Sequence, residues 1–277
     1  MSAASTSILL VGESGVGKTH YGAQLLKRLM KGDGRLRMNG AATNLEPFEA
    51  ALESLNEGKA AGHTATSTYI DSVWPVSDGG DHRGEMVWPD YGGEQIRNII
   101  AARRVPNSWG TRVREAAAWL LMIRLQQTRL EDDIFSRPLA DLRGSSIENR
   151  EVQVSDQARL IELLQMLTFS SGATGQRPLK RPHLGILLTC WDELSSEETP
   201  SETLRARLPM LWAFVHSSWR SPSILGLSAL ERPLSPRDRD MEYVSQGPEH
   251  FGYVVEPDGS KSPDLTIPIQ LLLSTLR

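Results

Sequence analysis

Cysteine is nearly absent from the sequence. Cys190 is the only one among the 277 residues, so no disulfide can form within the chain. The six histidines do not combine with this cysteine in the spacing of a zinc site. These absences exclude a disulfide-stapled secreted domain and a zinc-finger protein, and they predict a cytoplasmic location.

Long apolar runs and an excess of positive charge are also missing. No stretch reaches the roughly 18 apolar residues needed to cross a membrane, and the run Ile8–Val11 near the N-terminus is far shorter. The chain shows no basic signal-peptide start and no lipidation motif. Its formal net charge of −4 disfavours a protein that coats nucleic acid. We therefore expect a soluble protein with no membrane anchor and no nucleic-acid partner.

Apolar runs suited to buried strands alternate with helical patterns along the chain. This alternation is typical of α/β proteins, in which helices cover both faces of a mostly parallel sheet. The predicted strands are Ile8–Val11, Tyr69–Val76, Glu85–Trp88, Trp119–Leu125, Leu184–Leu188 and, as the last strand, Ile224–Leu227. The predicted helices are Lys18–Met30, a helix capped by Asn44 and ending near Glu57, Glu94–Ala102, Val154–Phe169 and Glu202–Trp219. We therefore predict a three-layer fold.

Three stretches fit this alternation poorly. Residues 31–60 and 126–150 are predicted insertions, and residues 231–277, rich in proline and charge before a short apolar segment, are predicted to form an irregular C-terminal extension. The predicted organisation is one enlarged domain over residues 1–277, with its core at about 7–230.

The run Gly12-Glu13-Ser14-Gly15-Val16-Gly17-Lys18-Thr19 joins the first predicted strand to the first helix. A polyphosphate needs many donors and no obstructing side chains, and glycines let backbone N–H groups close around its oxygens. Lys18 would neutralise phosphate charge, Thr19 would bind Mg²⁺, and the helix N-terminus would add its positive dipole end. The run therefore predicts a phosphate-binding loop, in which residues 13–19 and the following His20 contact a nucleotide.

A second polar run, Asp90-Tyr91-Gly92-Gly93, follows the strand Glu85–Trp88. Asp90 can bind Mg²⁺ through water, and Gly93 can offer its N–H to a γ-phosphate. Alone, the run is more typical of a surface Asp-Gly turn, but its distance and order after the glycine loop favour the phosphate site. Between the two motifs, Thr66 is the candidate for a further Mg²⁺ contact, with Thr64 as the alternate; β-branched residues leading into a strand are the competing interpretation.

A third polar run, Thr189-Cys190-Trp191-Asp192, ends the apolar run Leu184–Leu188. A carboxylate at the C-terminal end of a parallel strand lies where such folds bind ligands. Guanine presents two adjacent hydrogen-bond donors, N1–H and the 2-amino group, which the Asp192 carboxylate can accept. The alternative interpretation is that Asp192 caps a helix. Ser228-Ala229, after Ile224–Leu227, would contact the base through backbone atoms. These residues favour GTP over ATP.

Taken in order, these motifs resemble the Ras-like G domain of the translation-factor-related P-loop GTPases, from about Ser7 to Leu230. Asp90-x-x-Gly93 is similar to that family's switch II start, and Thr189-Cys190-Trp191-Asp192 to its base-specificity motif. Asp90 to Glu94, Leu188 to Leu194 and the tail Gly252 to Gly259 resemble the bacterial double-GTPase families of conflict systems, in which two GTPase subunits are encoded together with effectors. The resemblance implies GTP/GDP and Mg²⁺ as ligands, and a second GTPase subunit or an effector as protein partner.

Several residues depart from the Ras-like pattern. Glu94 occupies the slot of the water-orienting glutamine, with Gln95 one position late; Thr189 replaces the usual asparagine, Cys190 the usual lysine and Leu230 the lysine of the last loop. With Lys18, Thr66, Glu94 and Gln95 as the catalytic set, a GTP-binding switch with slow hydrolysis is predicted. Two other functions remain open: a nucleotide-binding scaffold subunit with little hydrolysis, and an ATPase in which Asp192 is a coincidence.

Overall fold

The computed structural model of the chain describes residues 6–62, 71–80, 82–88, 94–129, 155–173 and 177–276, apart from the side chains of Pro47 and Glu94. In these parts of the chain, strands β1 to β9 form one sheet with the order β2-β3-β4-β1-β5-β6-β7-β8-β9. The strands are β1 Ser7–Gly12, β2 Arg37–Met38, β3 Ser72–Ser77, β4 Arg83–Trp88, β5 Ala118–Ile123, β6 His183–Thr189, β7 Ser223–Ser228, β8 Tyr253–Val255 and β9 Lys261–Ser262. The central strands β4, β1, β5, β6 and β7 are parallel, whereas β2, β3, β8 and β9 pair antiparallel at the edges.

Helices cover both faces of this sheet, which confirms the predicted α/β architecture. The helices are α1 Lys18–Lys31, α2 Glu46–Asn56, α3 Glu94–Ala102, α4 Asn107–Glu115, α5 Asp156–Ser170, α6 Pro200–Arg207, α7 Pro209–Ser218, α8 Met241–Gln246 and α9 Ile267–Thr275. Because side chains alternate along a strand, Leu9 and Val11 of β1 join the core under α3 to α7, while Ile8 and Leu10 join the core under α1, α2 and α9.

Two predicted helices differ from those in the structure. The predicted helix Glu202–Trp219 is wrong as a single element, because Pro209 lacks an N–H and restricts Leu208, which adopts φ −132° and ψ 65° between α6 and α7. Asn44 does not cap α2: its φ is +48°, and the N-cap is Leu45, whose side chain makes no capping bond.

The C-terminal region is more regular than predicted. Ile224–Leu227 is not the last strand, because β8 pairs antiparallel with β7 and β9 with β8. Helix α9 packs against β1, β4, β6 and β7, and its Ile269 and Leu272 are fully buried in the core shared with α1. Of the predicted irregular extension 231–277, residues 231–276 therefore contain the regular elements α8, β8, β9 and α9. Residues 31–60, predicted as an insertion, contain β2 and α2; of the predicted insertion 126–150, residues 130–150 lie outside the described parts.

A buried arginine connects α1 to the C-terminal region. Arg28 is 5% exposed, and its guanidinium donates to the carbonyl oxygens of Glu249 and Phe251 at 3.0 and 2.7 Å. Its other Nη donates to Gln24 Oε1 at 2.8 Å, so the buried charge is solvated by protein acceptors. Through Arg28, the far end of α1 is attached to the segment that precedes β8.

Among the helices that the structure describes, none has the length and apolar character that a membrane crossing requires.

Candidate nucleotide site

The phosphate-binding run lies between the end of β1 and the start of α1, as predicted. Gly15 and Gly17 adopt φ +81° and +82°, a left-handed conformation that side-chain-bearing residues rarely take. Gly17 is the N-cap of α1, and neither a side-chain cap nor an acidic residue occupies the first turn. The helix therefore presents N–H groups and its positive dipole end at the loop, an arrangement that fits a phosphate.

The Lys18 side chain folds back over the loop. Its Nζ donates to the carbonyl oxygens of Gly12 and Glu13 at 2.7 and 2.6 Å. Burial lowers the pKa of Lys18 to about 8, although the nearby Glu13 carboxylate opposes this shift. An arriving polyphosphate would favour the charged ammonium, which matches the role predicted for this lysine. His20, two residues on, instead accepts from the Ala61 backbone N–H at 3.1 Å.

The two motifs predicted to bind the base, which contain Asp192 and Ser228, meet at the ends of neighbouring strands. Asp192 Oδ1 accepts from the Ser228 hydroxyl at 2.5 Å, and Ser228 Oγ in turn accepts from the Glu231 backbone N–H at 2.9 Å. This chain of hydrogen bonds orients the Asp192 carboxylate, leaving its other oxygen for a ligand. Ala229 follows Ser228 directly, at the end of β7.

A close contact between Trp191 and Gly226 of β7 holds the loop Thr189 to Glu193, here called the base loop, against that strand. Trp191 is 3% exposed, and a Cβ placed on Gly226 of β7 would approach its ring to 2.5 Å. The ring therefore needs a glycine beneath it. Before Trp191, Cys190 adopts φ +52°, and the Thr189 hydroxyl is buried without a hydrogen-bond partner among the described residues. An unpartnered buried hydroxyl at this edge fits a site that receives a polar ligand.

Two arginines flank the phosphate loop. Arg124, which follows β5, donates from Nη1 to the Gly15 carbonyl oxygen at 3.2 Å and from Nε to Glu193 at 2.9 Å. Arg159 of α5 donates to the carboxylates of Glu13 and Asp156, both at 2.9 Å. Both cations beside the loop are thus already paired with carboxylates of the chain.

A cavity of about 660 Å³ opens beside Glu13 and Ser14. Its charged lining consists of Glu13, Asp156 and the arginines Arg97, Arg124, Arg129 and Arg159. The arginines outnumber the carboxylates, so this wall is cationic on balance, which suits a polyanionic ligand.

The predicted metal and switch residues can be compared with the structure only in part. Thr19 lies in the first turn of α1, where its hydroxyl could reach a cation at the phosphates. Gln95 lies in the first turn of α3. Thr64, Thr66, Asp90 and Gly93 lie outside the described residues, as does the side chain of Glu94. Within the described ranges, no three His, Cys, Asp or Glu side chains cluster as metal ligands.

Several residues that shape the site were not predicted from the sequence: Arg124, Arg159, Glu193 and Gly226. Arg124 had a detectable signal, because it is the first polar residue after the buried strand β5, at the sheet edge where ligands bind. Arg159 and Gly226 had none, since their contacts join positions that are far apart in the chain.

Comparison with known proteins identifies a matching protein family. A family model described as Double-GTPase 1 matches residues 9–272. No curated protein matches the chain significantly. Among solved structures, Methanosarcina barkeri Roco2 RocCORdC bound to GDP is similar at 17% identity and a TM-score of 0.33, over 88% of this chain and 47% of that chain. This chain thus spans about half of that structure's length.

Proposed function

The chain belongs to the Double-GTPase 1 family, and from this premise we propose that it is a slowly hydrolysing GTP switch in a bacterial defence or signalling complex. The observation that carries the proposal is the meeting of a phosphate loop and an oriented carboxylate at one sheet edge. The phosphate loop follows β1, and Asp192 lies just beyond β6, held by Ser228 at 2.5 Å. A nucleotide bound there would contact both.

Each half of the proposed site has its own chemistry. The backbone N–H groups of the loop and the Lys18 ammonium would bind the polyphosphate, and Asp192 would accept from guanine N1–H and the 2-amino group. Thr19, with Thr66 and Asp90, would bind Mg²⁺, which supplies neutralisation of phosphate charge when present. Adenine lacks the paired donors, so the carboxylate supports GTP as the ligand.

The Asp192 assignment predicts a change of base preference. We expect Asp192→Asn to weaken GTP binding by roughly 10- to 100-fold, because a charged hydrogen-bond acceptor is lost. The affinity for xanthosine triphosphate should rise, because xanthine places an acceptor where guanine has its 2-amino donor and an asparagine amide can donate to that acceptor. Titrations of both nucleotides measure the ratio, with the exposed Asp238→Asn as matched control. An unchanged guanine-to-xanthine preference would reduce Asp192 to a structural cap.

Slow hydrolysis is proposed from the charges around the phosphates. In a Ras-like site, negative charge develops on the γ-phosphoryl oxygens, and the residue after the switch II glycine orients water. Glu94 would bring a carboxylate to that place. Arg124 and Arg159 are each paired with carboxylates, so neither provides a free compensating charge in this state. A partner would therefore have to supply a cation or reposition Gln95.

This reasoning predicts the effect of neutralising Glu94. The wild-type chain should hydrolyse GTP at a rate on the order of 10⁻⁴ to 10⁻³ s⁻¹, as unassisted small GTPases do. Glu94→Gln should raise the single-turnover rate of the isolated protein, whereas Gln95→Ala should change it less. Release of γ-phosphate measures both. Fast turnover by the wild-type chain alone contradicts the proposal. A Glu94→Gln rate at or below wild type would mean that Glu94 is either a working base or irrelevant to the rate.

The organisation and setting of the protein complete the proposal. We propose that residues 1–277 form one enlarged G domain that works in the cytoplasm, where its single thiol would remain reduced. Its partner would be a second GTPase subunit or an effector that distinguishes the GTP-bound from the GDP-bound form. Co-purification in GTP against GDP tests this, because a switch requires a nucleotide-dependent difference in partner affinity.

A further inference from the structure

Strand β5 places one arginine between the two loops that contact a nucleotide. In the parallel sheet, β5 lies between β1 and β6, with Gly12 opposite Met122 and Ile123 opposite Leu188. The phosphate loop follows Gly12, and the base loop, Thr189 to Glu193, follows Leu188. Arg124, the first residue after β5, therefore leaves the sheet midway between them.

Arg124 contacts both loops through separate nitrogen atoms. Its Nη1 donates to the Gly15 carbonyl oxygen of the phosphate loop at 3.2 Å. Its Nε donates to Glu193 Oε2 at 2.9 Å, and Nη2 donates to Oε1 of the same carboxylate. A guanidinium has the planar, forked geometry that this bidentate arrangement requires, and a lysine does not. About a quarter of each side chain is exposed.

The cation at this position is supplied by Arg124 and not by the base loop itself. Cys190 occupies the slot in which the Ras-like pattern has a lysine, and burial raises the pKa of its thiol to about 11, so it is neutral at physiological pH. A Cβ on Gly17 would lie 4.0 Å from its sulfur, so Cys190 borders the phosphate loop closely. Hydrogen bonding to Glu193 raises the pKa of Arg124, which keeps the guanidinium charged.

We propose that Arg124 is a positioning residue that couples the phosphate loop to the base loop. It thereby determines how much affinity the nucleoside part of GTP adds to that of its triphosphate part. This inference rests on the proposed function. With both loops fixed in one relative position, a nucleotide engages them together without reordering either. Without the bridge, the phosphate loop would still bind phosphates, but the base would contribute less.

The test compares GTP, which spans both loops, with inorganic tripolyphosphate, which engages the phosphate loop alone. Arg124→Gln should lower GTP affinity about tenfold, in the range of direct coupling between contacting groups, and change tripolyphosphate affinity less than about twofold. Glu193→Gln should have the same effect, and the double variant should be no worse than either single one. Arg124→Lys should not restore affinity, because it keeps the charge but not the fork. Arg103→Gln, which removes a surface arginine paired with Glu162, is the control.

The possible outcomes separate this inference from the proposed function. Equal losses of GTP and tripolyphosphate affinity, or rescue by Arg124→Lys, would overturn the coupling and make Arg124 a simple phosphate counter-charge. A tenfold loss in Arg124→Gln with no loss in Glu193→Gln would also overturn it. If the wild-type chain binds GTP no more tightly than tripolyphosphate, the guanine site itself is wrong, and the coupling falls with it.

Discussion

Replacing Lys18 with alanine is expected to reduce GTP affinity by at least about a hundredfold while the protein stays folded. Lys18 is the cation that the phosphate loop places over its own carbonyl groups, at 2.6 to 2.7 Å, and a triphosphate would replace those carbonyls as its partner. Burial lowers the pKa of its ammonium to about 8, so the folded chain gains no stability from holding this charge, and we expect its removal to leave the fold intact. Titration with a fluorescent nucleotide measures the loss, and thermal unfolding tests the fold.

Lys31→Ala is the matched control, because this lysine ends the same helix and is about half exposed. We expect it to leave GTP affinity unchanged. GTP binding by the Lys18→Ala variant within threefold of wild type would disprove the phosphate-loop assignment.

The same lysine gives GTP binding a pH dependence. Its pKa is about 8 in the free protein, and bound phosphate would raise it, so binding takes up a proton when Lys18 is neutral beforehand. The contribution of Lys18 to GTP affinity should therefore be constant below pH 8 and fall as the pH rises above 8. Calorimetry at pH 9 in two buffers of different ionisation enthalpy measures the proton uptake, which Lys18→Ala should abolish.

Replacing Leu272 with alanine is expected to destabilise the whole protein by about 2 to 5 kcal/mol. Leu272 of α9 is 1% exposed, and its Cδ atoms lie within 3.2 to 3.4 Å of where a Cβ on Gly185 of β6 would be. Its removal leaves a cavity at the centre of the sheet that close neighbours cannot refill. Urea unfolding followed by tryptophan fluorescence measures the change.

The neighbouring Leu271→Ala is the matched control, since the same atoms are removed from a side chain that is only partly buried. Leu271→Ala should lower the free energy of unfolding distinctly less than Leu272→Ala does. The Leu272 result also tests the proposed single domain, because a loss confined to a separate second transition would mean that residues 231–277 unfold independently of the sheet. Equal costs for the two leucines would contradict the packing of α9.

The parts of the fold that could be predicted are those specified by local patterns. The buried run Ile8–Val11 followed by Gly12 to Thr19 predicts a strand, a loop and a helix without reference to any other part of the chain, and the structure contains all three. By contrast, β8 has three residues, too few for any period, and it is a strand only because β7 offers an unpaired edge beside Gly226 to Ser228.

The site follows the same division. Asp192 and Ser228 were predicted separately from the ends of their strands, and the sheet brings them together. Arg124 was not predicted, because its role depends on β5 lying between β1 and β6, which is a property of strand order and not of sequence spacing. Likewise, Arg159 and Glu13 are 146 positions apart in the chain, and no periodic sequence pattern relates residues at that separation.

The attachment of Arg28 gives α1 a mechanical consequence. This helix has 14 residues and is therefore about 21 Å long, at 1.5 Å per residue. One end begins at the phosphate loop, and near the other end Arg28 donates to the carbonyls of Glu249 and Phe251. A shift of α1 along its axis must either break both hydrogen bonds around a buried charge or carry residues 249–251 with it. Any displacement of the helix at the nucleotide end is thus resisted, or passed on, at a buried contact about 15 Å away along the helix axis.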